Sequence, residues 1–317
     1  MLSVLLLLAL TLFVAFANGA NDVSKGIATL VGSGISSYRS AVAWGSLCTV
    51  AGALAAAFAS QGLVATFSGK GILTQAAGST NFLLATAIGA VAWLIIATLT
   101  GMPVSTTHSL TGALIGAALM QAGPHGVLWG ALTAKIAVPL AASPVMALLL
   151  IITPVRRRRS AATVSIRAIN ALHWISSGAT SFLRGLNDTP KILALGVAAG
   201  MMLGIARLSQ YALVALAMGV GSIVAGFRVT RTLAEKVTRI APTNGLAASL
   251  VTSVLVGAAS RFAMPVSTTH VSSGAIVGVG LCQRAVQWKV VGEMLLAWLV
   301  TLPASALLAA AAQWALG

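Results

Sequence analysis

Two polar phrases, each written twice into an otherwise apolar chain, constrain this sequence more than any other feature. Gly19-Ala20-Asn21-Asp22-Val23-Ser24-Lys25 returns as Gly185-Leu186-Asn187-Asp188-Thr189-Pro190-Lys191. Pro103-Val104-Ser105-Thr106-Thr107-His108 returns as Pro265-Val266-Ser267-Thr268-Thr269-His270. Asp22 and Asp188 stand 166 positions apart, as do Lys70 and Lys236, while Pro103 and Pro265 stand 162 apart. A nearly constant register over three landmarks means that one structural unit occurs twice.

The residues around these phrases decide the medium. Only 7% of the 317 residues are charged, 58% are hydrophobic and the mean hydropathy is +0.98, whereas soluble domains carry about 25% charged residues. Apolar stretches near 2–17, 41–59, 82–99, 127–152, 209–227, 245–259 and 290–315 approach the roughly 20 residues that cross a hydrocarbon core. They are continuous rather than alternating, which excludes an outer-membrane barrel. The sequence therefore predicts an all-α polytopic membrane protein that lies in the lipid bilayer. Its expected organisation is a first repeat over 1–155, a short basic cytoplasmic linker at 156–165 and a second repeat over 166–317. Residues 1–17 end in Ala15-Phe16-Ala17 like a signal peptide, but no basic segment precedes them, so they are read as mature helix.

A net charge of +15 suggests a nucleic-acid binder until the basic residues are placed. With the N-terminus outside and five crossings per repeat, Arg39, Arg156 to Arg159, Arg167, Arg228, Arg231, Lys236, Arg239, Arg284 and Lys289 face the cytoplasm. Only Lys70, Arg207 and Arg261 face outward, as the positive-inside bias requires. The charge is thus a topology signal for the cytoplasmic (inner) membrane with both termini outside, and no nucleic-acid partner is implied. Lys25, Lys135, Arg184 and Lys191 are left at membrane depth, where a charge needs a reason. An odd number of crossings inverts the second copy, so the fold expected is two inverted-topology repeats with discontinuous helices and re-entrant or short helices, the architecture of secondary transporters. Cys48 and Cys282 form neither a disulfide framework nor a metal site.

The chain has four acidic residues, and two of them are the Asp of the duplicated phrase. A carboxylate within a bilayer costs at least ~2.5 kcal/mol, so it is paired, hydrated or functional. Asp22 and Asp188 could simply pair with the Lys three residues on, or belong to one shared site. Flanking glycines, and Pro190 in the second copy, suggest helices broken at the Asn-Asp pairs. Broken helices expose N–H groups to anions and carbonyls to cations. Asn21, Asp22, Asn187 and Asp188 supply the oxygen ligands that a hard cation such as Na⁺ takes. Ser105, Thr106 and Thr107, with Ser267, Thr268 and Thr269, can form a donor-rich cradle for an oxyanion, or can bond to carbonyls four residues back. His108 and His270 can shuttle protons or hold helices together.

Taken together, Gly-Ala-Asn-Asp, Gly69-Lys70-Gly71, Ala241-Pro242-Thr243-Asn244-Gly245 and the two Ser-Thr-Thr-His segments resemble the inorganic phosphate transporter family of secondary carriers, in both halves of the chain. The resemblance implies uptake of inorganic phosphate by symport with Na⁺ or H⁺, no cofactor, and a substrate site between the repeats. Its implied residues are Asn21, Asp22, Ser105, Thr106, Thr107, Asn187, Asp188, Ser267, Thr268 and Thr269. Asp22 and Asp188 are assigned to the coupling ion and the others to the substrate. Sulfate, also tetrahedral, is the alternative anion, and a homodimer is compatible with the reading. The chain departs from the family where Lys25 and Lys191 replace the usual Asn, and Arg184 precedes the second Gly. These cations could neutralise Asp22 and Asp188, stand in for a coupling cation, or bind the anion. A membrane enzyme finds no support in His-Glu-x-x-His or Gly-x-Ser-x-Gly, neither of which occurs. An anion channel would not concentrate its substrate.

Overall fold

The computed structural model describes residues 1–59, 61–74, 79–157 and 165–317, and among these only helices and isolated bridges occur. The first repeat runs through α1 (Leu2–Gly32), α2 (Tyr38–Ala59), α3 (Gln61–Phe67), α4 (Thr80–Leu99) and α5 (Thr106–Ala122). It ends in α6 (Trp129–Leu132), which continues through a π turn, Thr133–Ala137, into α7 (Val138–Arg157). The second repeat follows the same order: α8 (Ile166–Met202), α9 (Arg207–Ala225), α10 (Phe227–Arg231), α11 (Pro242–Arg261), α12 (Thr268–Gln283) and α13 (Trp288–Leu316). Seven of these helices are long and apolar enough to cross a membrane, and they coincide with the seven apolar stretches of the sequence. The expected linker at 156–165 falls largely on 158–164, outside the described residues. α7 extends through its first two positions, and Ser165 caps α8 by accepting from the Ala168 N–H at 3.3 Å.

The surface is the inverse of a soluble protein's. Phe58, Leu299 and Trp314 are 83%, 75% and 74% exposed, whereas Asp22, Lys25, Arg184, Asp188 and Lys191 are at most 2% exposed. Apolar side chains on the outside meet lipid, and the polar residues gather within.

The repeats do not form separate bodies. α1 packs on α9 and α2 on α8, while α5 packs on α13 and α12 on α7, so each repeat buries its helices against the other. Backbones touch at the crossings. A Cβ on Gly19 would lie 2.0 Å from the Met218 carbonyl oxygen, and one on Gly185, its counterpart, 2.2 Å from that of Thr49. Small residues at such crossings are how membrane helices approach closely.

The expected breaks at the Asn-Asp pairs are corrected: α1 runs unbroken through Asn21 and Asp22, and α8 through Asn187, Asp188 and Pro190. The propensity cost of Gly or Asn is at most about 1 kcal/mol. An unsatisfied backbone group within a membrane costs several, so continuity wins. The discontinuities lie at 100–105 and 262–267, the tips of the helical hairpins α4–α5 and α11–α12. Pro103 and Pro265 carry no N–H and disfavour helix in the residue before them. Gly101 turns the first tip at φ 75°. Its counterpart Ala263 adopts the left-handed region at φ 51°, where a Cβ costs about 1–2 kcal/mol. Ala263→Gly is therefore expected to stabilise the protein by about 1 kcal/mol and raise its melting temperature in detergent. An unchanged or lower melting temperature contradicts this account of the turn.

Candidate functional site

On α1, Asn18, Asn21, Asp22 and Lys25 recur at i, i+3, i+4 and i+7 and so share one helix face. The corresponding face of α8 carries Arg184, Asn187, Asp188 and Lys191. The two faces meet: Arg184 Nη1 donates to Asn18 Oδ1 at 3.0 Å, and Asn18 Nδ2 donates to Asp22 Oδ2 at 2.9 Å and Asp188 Oδ2 at 3.3 Å. Asn18 and Arg184 are themselves counterparts in the 166-residue register.

The hairpin tips close on this pair of faces. Asn21 Nδ2 donates to Thr98 Oγ1 at 3.1 Å and to the Met102 carbonyl at 3.0 Å. Asn187 Nδ2 donates to Ser260 Oγ at 2.9 Å, and Ser260 is the counterpart of Thr98. Tip meets tip as well. Thr107 Oγ1 donates to the Val266 carbonyl at 3.3 Å, and Thr269 Oγ1 to the Val104 carbonyl at 2.7 Å. The elements of both repeats thus converge on one buried centre.

The six hydroxyls of the Ser-Thr-Thr segments are all buried, and none of their described bonds goes to a carbonyl four residues back. Ser105 and Ser267 cap α5 and α12, each accepting from the His N–H three residues on at 3.2 Å. That is the residue type and geometry an N-cap requires. Thr106 Oγ1 donates to Asp22 Oδ2 at 3.1 Å and accepts from Asn18 Nδ2 at 2.9 Å.

Both lysines pair with their own Asp, at 2.7 Å for Lys25 and 3.0 Å for Lys191. Arg184 forms no ion pair among the described residues; its Nη2 donates to Thr49 Oγ1 at 2.7 Å and its buried Nε has no partner. Lys135 lies apart from the other three, on the exposed side of its helix, and its Nζ donates to the Gly71 carbonyl at 3.3 Å. It sits early in a long helix, so its flexible stem reaches the Gly-Lys-Gly loop. The other two acids lie away from the centre. Glu235 is exposed, and hydrogen bonds from Tyr38 and Arg231 hold its carboxyl below the usual range. Glu293 is exposed too.

The rings of His108 and His270 meet across the repeats in a tilted contact, centroids 4.6 Å apart at 50°, and His270 lies tilted against Trp298 at 3.9 Å. They are elements of a helix interface, with His270 Nδ1 at 3.2 Å from the Leu140 carbonyl oxygen. Sequence reasoning missed Asn18, Thr49, Thr98, Ser260 and the carbonyls of Val104 and Val266. For Asn18 the signal existed, because the register that aligns Asp22 with Asp188 also sets Asn18 against Arg184.

Two inverted repeats, interleaved around a buried polar centre to which both contribute Asn, Asp, Lys, Ser and Thr, define the class of inverted-repeat membrane transporters. The profile of the phosphate transporter family matches residues 18–161 and again 151–309. A probable low-affinity inorganic phosphate transporter of Rhizobium meliloti (strain 1021) is 32% identical over 98% of this chain and 95% of its own length. A protein of the same description from Bacillus subtilis (strain 168) is 31% identical over 95% of this chain and 93% of its own. A solved structure described as the sodium-dependent phosphate transporter superposes with a TM-score of 0.86 at 23% identity, covering 100% of this chain and 99% of that one, and so shares its fold. The chain belongs to the phosphate transporter family. It is not an enzyme.

Proposed function

We propose that this protein is a secondary symporter that carries inorganic phosphate across the cytoplasmic membrane, driven by a Na⁺ or H⁺ gradient. The observation that carries the reading is the centre itself, where α1, α8 and both hairpin tips gather Asn, Asp, Ser and Thr side chains with three cations in a lipid-shielded interior. Ser105, Thr106, Thr107, Ser267, Thr268 and Thr269, with Asn21 and Asn187, are the substrate residues of this reading. Asp22 and Asp188 link it to the driving ion. Both repeats contribute equally, so an exchange of conformation between them exposes the centre to either side. In this reading the basic loops face the cytoplasm, which puts both termini outside.

Phosphate is favoured over sulfate by one feature of the geometry. A protonated phosphate carries a donor that sulfate lacks, and it needs an acceptor. Asp188 Oδ2 is the carboxylate oxygen with capacity to spare: its one described bond is the long 3.3 Å contact from Asn18, whereas each Oδ1 holds an ammonium and Asp22 Oδ2 accepts from both Asn18 and Thr106. The test is uptake of radiolabelled phosphate and sulfate into proteoliposomes under imposed gradients. Phosphate is expected to accumulate against its gradient, with excess sulfate competing weakly. Sulfate accumulation that phosphate does not suppress replaces the substrate, and equilibration without accumulation replaces the symporter by a channel.

A further inference from the structure

Each lysine of the centre does more than pair with an acid. Lys25 Nζ donates to Asp22 Oδ1 and Asn21 Oδ1 at 2.7 Å and to the Asn21 carbonyl at 2.8 Å, with the Val104 carbonyl oxygen at 3.5 Å. Lys191 Nζ donates to Asp188 Oδ1 at 3.0 Å, Thr107 Oγ1 at 2.8 Å, the Val266 carbonyl at 3.0 Å and Asn187 Oδ1. The two cages are counterparts. Each offers a carboxylate, an amide oxygen and the Val carbonyl of a hairpin tip. A carboxylate with amide and carbonyl oxygens is the ligand set of a hard cation, and an ammonium has only three hydrogens to share among four such oxygens.

We propose that Lys25 and Lys191 are resident cations, tethered in the two oxygen cages, so that transport needs no Na⁺ there and the two residues set the protein's ion selectivity. The inference rests on the reading of the centre as a phosphate site. Charge supports it. Two carboxylates are matched by two ammonium groups, each at ion-pair distance, and a further cation would add positive charge to a dry interior that already holds Arg184. Arg184 faces Asn18 and Thr49, keeps a buried, unpartnered Nε–H, and is left as the charge available to an anion. The ammonium groups also join the parts that must move. Lys191 links α8 to both hairpin tips, through Val266 and Thr107, and Lys25 links α1 to the first tip, as a bound ion would.

The experiment measures two things. The first is binding of ²²Na⁺ to the purified, detergent-solubilised protein without phosphate, which tests the cages even where no phosphate is carried. The second is phosphate uptake into proteoliposomes under a pH gradient, in Na⁺ and in choline. Wild-type protein is expected to bind no ²²Na⁺ and to take up phosphate equally in both salts. Lys25→Asn with Lys191→Asn is expected to bind ²²Na⁺ and to be stabilised against heat by NaCl over choline chloride. Its uptake is expected to be about tenfold higher in Na⁺, the effect of a cation contributing about 1.4 kcal/mol. Saturable ²²Na⁺ binding to wild-type protein, or an uptake that Na⁺ raises about tenfold, overturns the proposal. So does a folded double variant indifferent to Na⁺. Where that variant does not fold, the wild-type measurements decide. Absence of phosphate uptake under every gradient counts instead against the phosphate reading.

Discussion

Replacing Asp22 or Asp188 by asparagine is expected to abolish concentrative phosphate uptake, the largest effect of any single change considered. The change keeps shape and removes one charge. Asp22 accepts from Lys25, Asn18 and Thr106 at once, so the loss reaches every part of the centre. It also leaves a buried ammonium without its partner, and breaking a buried pair from one side costs about 3–5 kcal/mol. The single variants are therefore expected to be less stable as well as inactive. Two paired variants separate the causes: Asp22→Asn with Lys25→Asn, and Asp188→Asn with Lys191→Asn, remove both charges of one pair. They are expected to recover much of the melting temperature while uptake stays lost, because the carboxylate's part in transport is gone. Wild-type rates in either single variant would remove the acids from the mechanism, and uptake that returns with stability would reduce them to structural partners.

The duplicated phrases made the repeats, their register and most of the centre legible, because charged and hydroxyl residues are conspicuous in an apolar chain. Hydropathy also found seven spans. It did not find α8 as one, since Arg184, Asp188 and Lys191 lie on the buried face of that helix and lower the average of a segment that never meets lipid with them. The 37 residues of α8 extend about 55 Å, well beyond the bilayer core. Helix continuity at the Asn-Asp pairs was illegible for a related reason. Local propensity argued for a break, and the cost of open backbone in a dry interior overruled it. Backbone partners such as the carbonyls of Val104 and Val266 leave no mark on the residue type at all. They follow from the hairpin tips meeting, and that depends on interleaving of the repeats which no local pattern encodes.

The Ser-Thr-Thr segments offer the sharpest test of where substrate is held, because their second residues are counterparts with different surroundings. Thr106 bonds to Asp22 and Asn18, so Thr106→Val removes a donor from a carboxylate and an acceptor from an amide. Loss of stability and loss of function are then mixed in one variant. Thr268 has no hydrogen-bond partner among the described residues, although it is buried at the first turn of α12. A valine there keeps the volume and breaks no bond within the protein, so any effect on affinity reports on the substrate directly. A hydrogen bond to a charged group is worth about 1.5–3 kcal/mol, or roughly ten- to more than a hundredfold in affinity. Thr268→Val is expected to weaken phosphate binding by that factor while the melting temperature stays at the wild-type value. Thr106→Val is expected to lower both. The measurement is phosphate titration of purified variants beside thermal unfolding in the same detergent. Wild-type affinity in Thr268→Val would make the second segment a packing element and confine the oxyanion cradle to Thr106 and the residues that contact it.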